Sequence, residues 1–201
     1  LRMGMQPCDE LPNQITCIDL PKGYDPPRWC PENSSENYGE IVTLEYALAN
    51  SMNTVTAKLI KTYGTKRVIK LAHELGIESD IPNVPSIAVG VAQLTLKELV
   101  ASNAALANGG IYIEPTIVVR VEDRYGNTIY EPTPVVRQGL DEMTSYRVVR
   151  MMKGVVDGAW AAVGSDSRFY SALSEGSVQT DPVTSMRPFA PNSGTPWALE
   201  C

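Results

Sequence analysis

The sequence is short of the features that would place it quickly. It holds one histidine and four cysteines, at Cys8, Cys17, Cys30 and Cys201, with no closely spaced pair among them. Structural zinc sites need tight Cys or His pairs, so this spacing argues against one, and no metal or cofactor is expected. Basic charge is scarce as well. The 17 Lys and Arg face 23 Asp and Glu, a net charge of −6 with the histidine neutral. That sign is wrong for binding a phosphate backbone, so nucleic acid is not an expected partner. Long apolar runs are missing: the longest uncharged one, Ile87–Ala92, is far below the roughly 20 residues that span a bilayer. No signal-peptide pattern opens the chain. Leu1-Arg2-Met3-Gly4-Met5 reads as the middle of a longer protein, one that could carry a membrane anchor elsewhere.

What is present suits a folded domain. The 201 residues are 43% hydrophobic and 20% charged, enough for one core with or without a tail. Three parts are expected: a Pro- and Cys-rich irregular arm over 1–37, a core over 38–157, and a Ser-, Pro-, Thr- and Gly-rich tail over 158–201 without sustained periodicity. In the arm, Gln14 to Asp19 reads as extended, Trp29 as an anchor, and the sequon Asn33-Ser34-Ser35 as a turn. An oxidising compartment would allow Cys8 to pair with Cys17 across a short loop; the alternative is free, partly buried thiols.

The core begins with helical patterns. Thr43 is placed to cap a helix whose apolar face is Leu44, Ala47 and Leu48. A second stripe, Val55, Leu59, Ile60 and Tyr63, ends at Gly64. Between them lies a polar knot, Asn50-Ser51-Met52-Asn53, where a hydroxyl and a carboxamide two positions apart can share one hydrogen-bond network. Thr65 is read as the cap of a third helix, with Val68, Leu71, Ala72 and Leu75 as its stripe and Gly76 as its stop. His73 falls off that stripe and reads as a solvated surface residue rather than a catalytic one. After a loop over 77–92, Thr95 and Glu98 form a capping box. The helix they open should bury Leu96, Leu99, Val100, Ala104 and Ala107. The period then changes to two: Thr116–Asp123, a turn at Tyr125-Gly126-Asn127, and Thr128–Tyr130 predict a β-hairpin. A last helix over Asp141–Val156 should bury Tyr146, Val149, Met152, Val155 and Val156 as core.

Taken in order, several of these pieces closely resemble the transpeptidase domain of class A (bifunctional) penicillin-binding proteins. They are Trp29-Cys30-Pro31-Glu32-Asn33, Val42-Thr43-Leu44 through Asn50-Ser51-Met52-Asn53, and Ala72-His73-Glu74-Leu75-Gly76-Ile77. Pro85 to Gly90, Leu94-Thr95-Leu96, Ala107-Asn108-Gly109-Gly110, and Gln138 with Gly154-Val155-Val156 continue the series. Single pieces such as Ser-x-Asn occur by chance; the ordered set is specific.

The resemblance implies an α+β fold: part of a penicillin-binding-protein/β-lactamase-like transpeptidase domain, a mostly helical subdomain plus one β-hairpin. It also implies a serine acyl-transfer enzyme that cross-links peptidoglycan stem peptides, is acylated by β-lactams, and works outside the cytoplasm, in the periplasm, from an inner-membrane anchor in the parent. Such enzymes join Ser-x-x-Lys, Ser-x-Asn and Lys-Thr/Ser-Gly in one cleft. Ser51 and Asn53 match the second motif, with Ser51 relaying a proton and Asn53 holding the substrate amide. No serine here is followed three positions later by lysine, and Asn192-Ser193-Gly194-Thr195 only outlines the third motif with Asn in place of Lys. The abrupt change of text after Asp157 suggests a translated frameshift or assembly error. The expectation is therefore a fragment without acylation chemistry of its own, with exposed apolar surface and marginal stability or aggregation in isolation. The competing readings are a non-catalytic scaffold of cell-wall synthesis and a relative of the serine β-lactamases.

Overall fold

Short-range signals set most of the helix ends. The computed structural model describes residues 1–35 and 37–163, with residues 157–163 given as helical backbone alone; the motif-like Asn192–Thr195 and most of the tail lie outside the described residues. The helices are α1 (Leu44–Ala49), α2 (Asn53–Tyr63), α3 (Thr65–Glu74), α4 (Leu96–Ala107) and α5 (Glu142–Val163), with a 3-10 turn at Pro85–Val89. The strands are β1 (Glu10–Pro12), β2 (Ile18–Asp19), β3 (Arg28–Trp29), β4 (Ile41–Thr43), β5 (Ile111–Ile113), β6 (Val121–Glu122), β7 (Thr128–Tyr130) and β8 (Val136–Gln138). They pair antiparallel as β1 with β4, β2 with β3, β5 with β8 and β6 with β7. The mixed α+β class holds. The expected hairpin forms as β6–β7, its first strand only two residues long where the sequence predicts Thr116–Asp123, with a bulge at Val121/Glu122 and a turn tied by the Asp123 carboxylate, which accepts from the Tyr125 and Asn127 amides. The other three ladders are additions, because strands of two or three residues carry too little alternation to read.

Capping follows the sequence where the signal is local. The Thr43 hydroxyl accepts the Tyr46 amide at 3.2 Å. At α4 both halves of the Thr95/Glu98 box are formed, and the Glu98 carboxylate gathers three further donors: the Glu78 amide, the Ser79 amide and the Ser79 hydroxyl. These bonds, led by the Thr95 hydroxyl, hold Glu98 far below the usual carboxylate range. Thr65 departs from expectation. It is the first residue of α3, the cap position is Gly64 at φ 80°, and the Thr65 hydroxyl bonds Asn83 instead.

Two apolar clusters form the interior. One joins Val42, Leu44, Ala47, Met52, Val55 and Met151, where α1 and α2 meet α5. A Cβ on Gly154 would sit 3.6 Å from that of Ala49, an ordinary contact, so α5 passes close to α1 here. The other joins Leu75, Ala101, Ala105, Tyr112 and Leu140 between α3, α4 and β5. Arg137 on β8 stacks 4.3 Å from the Tyr112 ring centroid and donates to the His73 and Glu74 carbonyls, closing the end of α3. His73 itself is exposed.

One expected stripe faces the wrong way and a second does so in part. On α4 the buried side chains are Glu98, Ala101, Ser102 and Ala105, whereas Leu96, Leu99 and Val100 are 76%, 48% and 58% exposed. On α5, Thr144, Ser145 and Met151 are buried while Met152, Val155 and Val156 are exposed. On α4 the covered side carries small or hydrogen-bonded residues and the open side larger apolar ones; on α5 the covered side also takes Met151, with Tyr146 and Val149 half-buried. Periodicity locates an apolar face, but the neighbours present decide whether it is covered.

Candidate functional site

The polar knot is a helix-stop built around a serine. At the end of α1 the Ser51 amide bonds the Leu48 carbonyl at 3.0 Å and the Met52 amide bonds the Ala47 carbonyl at 2.9 Å. This is the double closure of a Schellman motif, which puts its turn residue in the left-handed region. Ser51 occupies that position at φ 52°, the one non-glycine residue with positive φ among the described residues. A side chain there costs on the order of 1 kcal/mol, and backbone strain of this kind concentrates at functional positions. Ser51 is exposed. The Asn50 carboxamide turns back onto the Tyr46 carbonyl at 2.9 Å, satisfying a last-turn acceptor of α1.

Two residues on, Asn53 opens α2. The cap position before it belongs to Met52, which is buried in the α1/α2/α5 cluster and gives the helix no side-chain cap. The arm supplies one instead. The Asn33 Oδ1 accepts the Thr54 amide at 3.1 Å, and Asn53 Nδ2 donates to the Glu32 carbonyl at 2.9 Å. Asn33 Nδ2 in turn donates to Asn13 Oδ1 at 2.8 Å, and the Thr54 hydroxyl donates to the same oxygen at 2.7 Å. Asn13 and Thr54 are fully buried. The sequon asparagine is thus a bracket between arm and helix rather than a free turn residue. None of these partners could be read from the sequence, since they lie 20 to 41 residues apart.

The arm is held in place by covalent and main-chain ties. Cys17 bonds Cys30 across the β2–β3 hairpin, which corrects the expected pairing of Cys17 with Cys8. The hairpin register sets Ile18 opposite Trp29 and Asp19 opposite Arg28, and that ladder brings Cys17 and Cys30 together at its open end. Lys61 of α2 donates to the Cys17 carbonyl at 3.0 Å. The β1–β4 ladder, with Glu10 opposite Thr43, ties the other end of the arm to the entry of α1.

Other concavities lie away from the knot. A cavity of about 570 Å³ between α3, α4 and α5 is lined by Tyr63, Arg67, Leu71, Leu106, Leu140 and Val148, among others. A broad hollow beside α3 is rimmed by Lys66, Lys70, His73 and Arg137. No cluster of three or more His, Cys, Asp or Glu able to hold a metal ion occurs among the described residues. No helix there is long and apolar enough to cross a membrane. The knot offers a hydroxyl and a carboxamide, both suited to hydrogen-bonding and proton relay, and no nucleophile paired with a base.

Solved structures of penicillin-binding proteins share this fold. Penicillin-binding protein 1A from Haemophilus influenzae matches with a TM-score of 0.71 at 19% identity, over 87% of this chain and 30% of that one. The imipenem acyl-enzyme of penicillin-binding protein A from M. tuberculosis matches with a TM-score of 0.62 at 19% identity, over 76% of this chain and 39% of that one. The model of the penicillin binding protein transpeptidase domain matches residues 12–170, and the chain belongs to that family. Penicillin-binding protein 2D of Bacillus subtilis is 37% identical over 130 residues, covering 64% of this chain and 19% of the relative. Penicillin-binding protein 1A of Aquifex aeolicus is 30% identical over 148 residues, covering 71% of this chain and 20% of the relative. The chain therefore spans about one fifth of the length of these relatives.

Proposed function

We propose that the chain is one wall of the active site of a peptidoglycan D,D-transpeptidase, carrying the Ser-x-Asn motif as Ser51 and Asn53. The observation that carries this reading is the knot: an exposed serine held at positive φ between two helices, with an asparagine fixed at the head of the second. In the assembled site the Ser51 hydroxyl passes a proton towards the leaving group, and Asn53 bonds the substrate amide. The nucleophile and the lysine that binds the substrate carboxylate come from parts of the parent domain outside the described residues. The substrates are stem peptides, with β-lactams as acylating analogues, and the parent works on the outer side of the cytoplasmic membrane through its own anchor.

Labelling with a fluorescent penicillin tests this. The intact gene product should be labelled covalently and the 201-residue chain alone should not. Ser51→Ala or Asn53→Ala in the intact product should slow acylation by about 10²-fold or more. Labelling of the chain alone would show that it holds a nucleophile, and full-rate acylation of both variants would remove the motif assignment.

A further inference from the structure

Resting on the reading of Asn53 just given, we infer that Asn13, Asn33 and Thr54 are positioning residues for the Ser-x-Asn motif, an external cap that fixes how α2 presents Asn53. Helix α2 needs such a cap. Its first amides have no intrahelical partner, and Met52, committed to the apolar cluster, cannot accept them. Asn33 takes over that role from 21 residues upstream by accepting the Thr54 amide. An asparagine side chain on a free loop would rotate away, but this one is held at both ends, since its Nδ2 is bound to Asn13 Oδ1.

Asn13 is the fixed point. Its amide bonds the Glu40 carbonyl at 2.8 Å, its carbonyl accepts the Gly39 amide at 2.9 Å, and its Nδ2 donates to the Asn37 carbonyl at 2.8 Å. Its Oδ1 then receives Asn33 Nδ2 and the Thr54 hydroxyl together, filling both lone pairs. The side chain is fully buried, where polar groups are retained only when paired.

A cap alone would be a structural matter. What connects it to the motif is Glu32, the neighbour of Asn33, whose carbonyl takes one hydrogen of Asn53 Nδ2. That bond fixes the Asn53 amide plane and leaves one N–H and the Oδ1 for other partners. The same arm segment thus sets the head of α2 through Thr54 and the orientation of Asn53 through Glu32. Small misplacements of a substrate-holding group are expensive in rate.

The test measures penicillin acylation of the intact gene product as a function of penicillin concentration, together with thermal unfolding. Thr54→Val and Asn33→Ala should lower the acylation rate at saturating penicillin by at least about tenfold per folded molecule. Thr54→Ser, which restores the hydroxyl, should return it to within about twofold. Asn33→Asp keeps the acceptor for the Thr54 amide but not the donor to Asn13, and should fall between the two. A merely structural role would reduce melting temperature and the labelled fraction while leaving the rate per labelled molecule at the wild-type value, and that result would overturn the inference. If Asn33→Ala fails to fold, equal rates for Asn33→Asp, Thr54→Val, Thr54→Ser and wild type overturn it equally. Full-rate acylation of Ser51→Ala and Asn53→Ala would mean that the functional reading has failed and the positioning role with it. Loss in those two with none in Asn33 and Thr54 variants would sink the positioning role alone.

Discussion

The two ends of the helical layer differ in how completely they are covered. Around α1 and α2, Leu44, Ala47, Met52, Val55, Ala57 and Ile60 are all buried, and the head of α2 is capped by the arm through the buried Asn13 and Thr54. On α4 itself only small or hydrogen-bonded side chains are buried, and Leu96, Leu99 and Val100 face outward. Among the described residues the motif region has its partners on hand; the outer face of α4 does not. The chain spans about one fifth of its relatives' length, and among the described residues the arm and α2 cover each other while the outer face of α4 stays open.

The comparison breaks most severely if the α4 side proves loosely assembled throughout. Its inner cluster is tight where it exists. A Cβ on Gly110, at φ 83°, would overlap the Leu140 backbone carbonyl, and neither partner can rotate away. Gly110→Ala should therefore cost about 4 kcal/mol, the sum of left-handed strain and a backbone displacement. Chemical denaturation measures it; a loss under about 1 kcal/mol would show that β5 and the Leu140 segment are not packed as described.

On the motif side the expected effect is smaller and of opposite sign. Ser51 fills a Schellman turn position that glycine fills without strain. Ser51→Gly should stabilise the chain by about 1 kcal/mol while removing the hydroxyl that the proposed relay needs. A destabilised variant would mean that the Ser51 side chain makes a stabilising contact worth more than its backbone strain.

Legibility in the sequence follows the range of each interaction. The Thr43 cap and the Thr95/Glu98 box lie within three residues and were readable as patterns, as was the β6–β7 hairpin with its Gly126 turn. The Asn33 cap of α2 joins residues 21 apart and looked like an isolated sequon. The Cys17–Cys30 bond depends on the β2–β3 register, so counting cysteines left only a Cys8 pairing or free thiols in view. Ser51 and Asn53 could be singled out from the resemblance, but the strain on one and the bond fixing the other needed coordinates. The α4 stripe, and Met152, Val155 and Val156 of the α5 stripe, depart from expectation for a different reason: these apolar faces exist, and the described neighbours cover other sides of the helices.

An acid titration sharpens the comparison from the α4 end. Glu98 has its pKa lowered from 4.5 by the Thr95 and Ser79 hydrogen bonds. A carboxylate with a depressed folded-state pKa contributes stability that is present above its unfolded value and lost as pH falls through the folded one. Stability of the chain should thus decline below about pH 4.5, and Glu98→Gln should flatten that decline while lowering stability at pH 7. The depressed Asp123 and Asp141 keep part of the slope. Denaturation midpoints between pH 7 and 3 read the effect; an unchanged acid limb would show that the Glu98 bonds form in the unfolded chain too or not at all.

The smallest expected effect on stability is the most direct probe of the open face. Leu99 and Val100 are 48% and 58% exposed, so charging them removes little buried area from the chain as it stands. Leu99→Lys with Val100→Lys should shift stability by less than about 0.5 kcal/mol, the range of ordinary surface changes. The same pair should reduce self-association, because exposed contiguous apolar surface drives aggregation, and light scattering against concentration measures it. A cover over this face in the intact gene product would make the two lysines costly there, because unpaired charge would be buried. Equal tolerance in both contexts would mean that the face stays open in the parent as well, and the contrast between the two ends of the layer would then be a property of the domain rather than of its partial length.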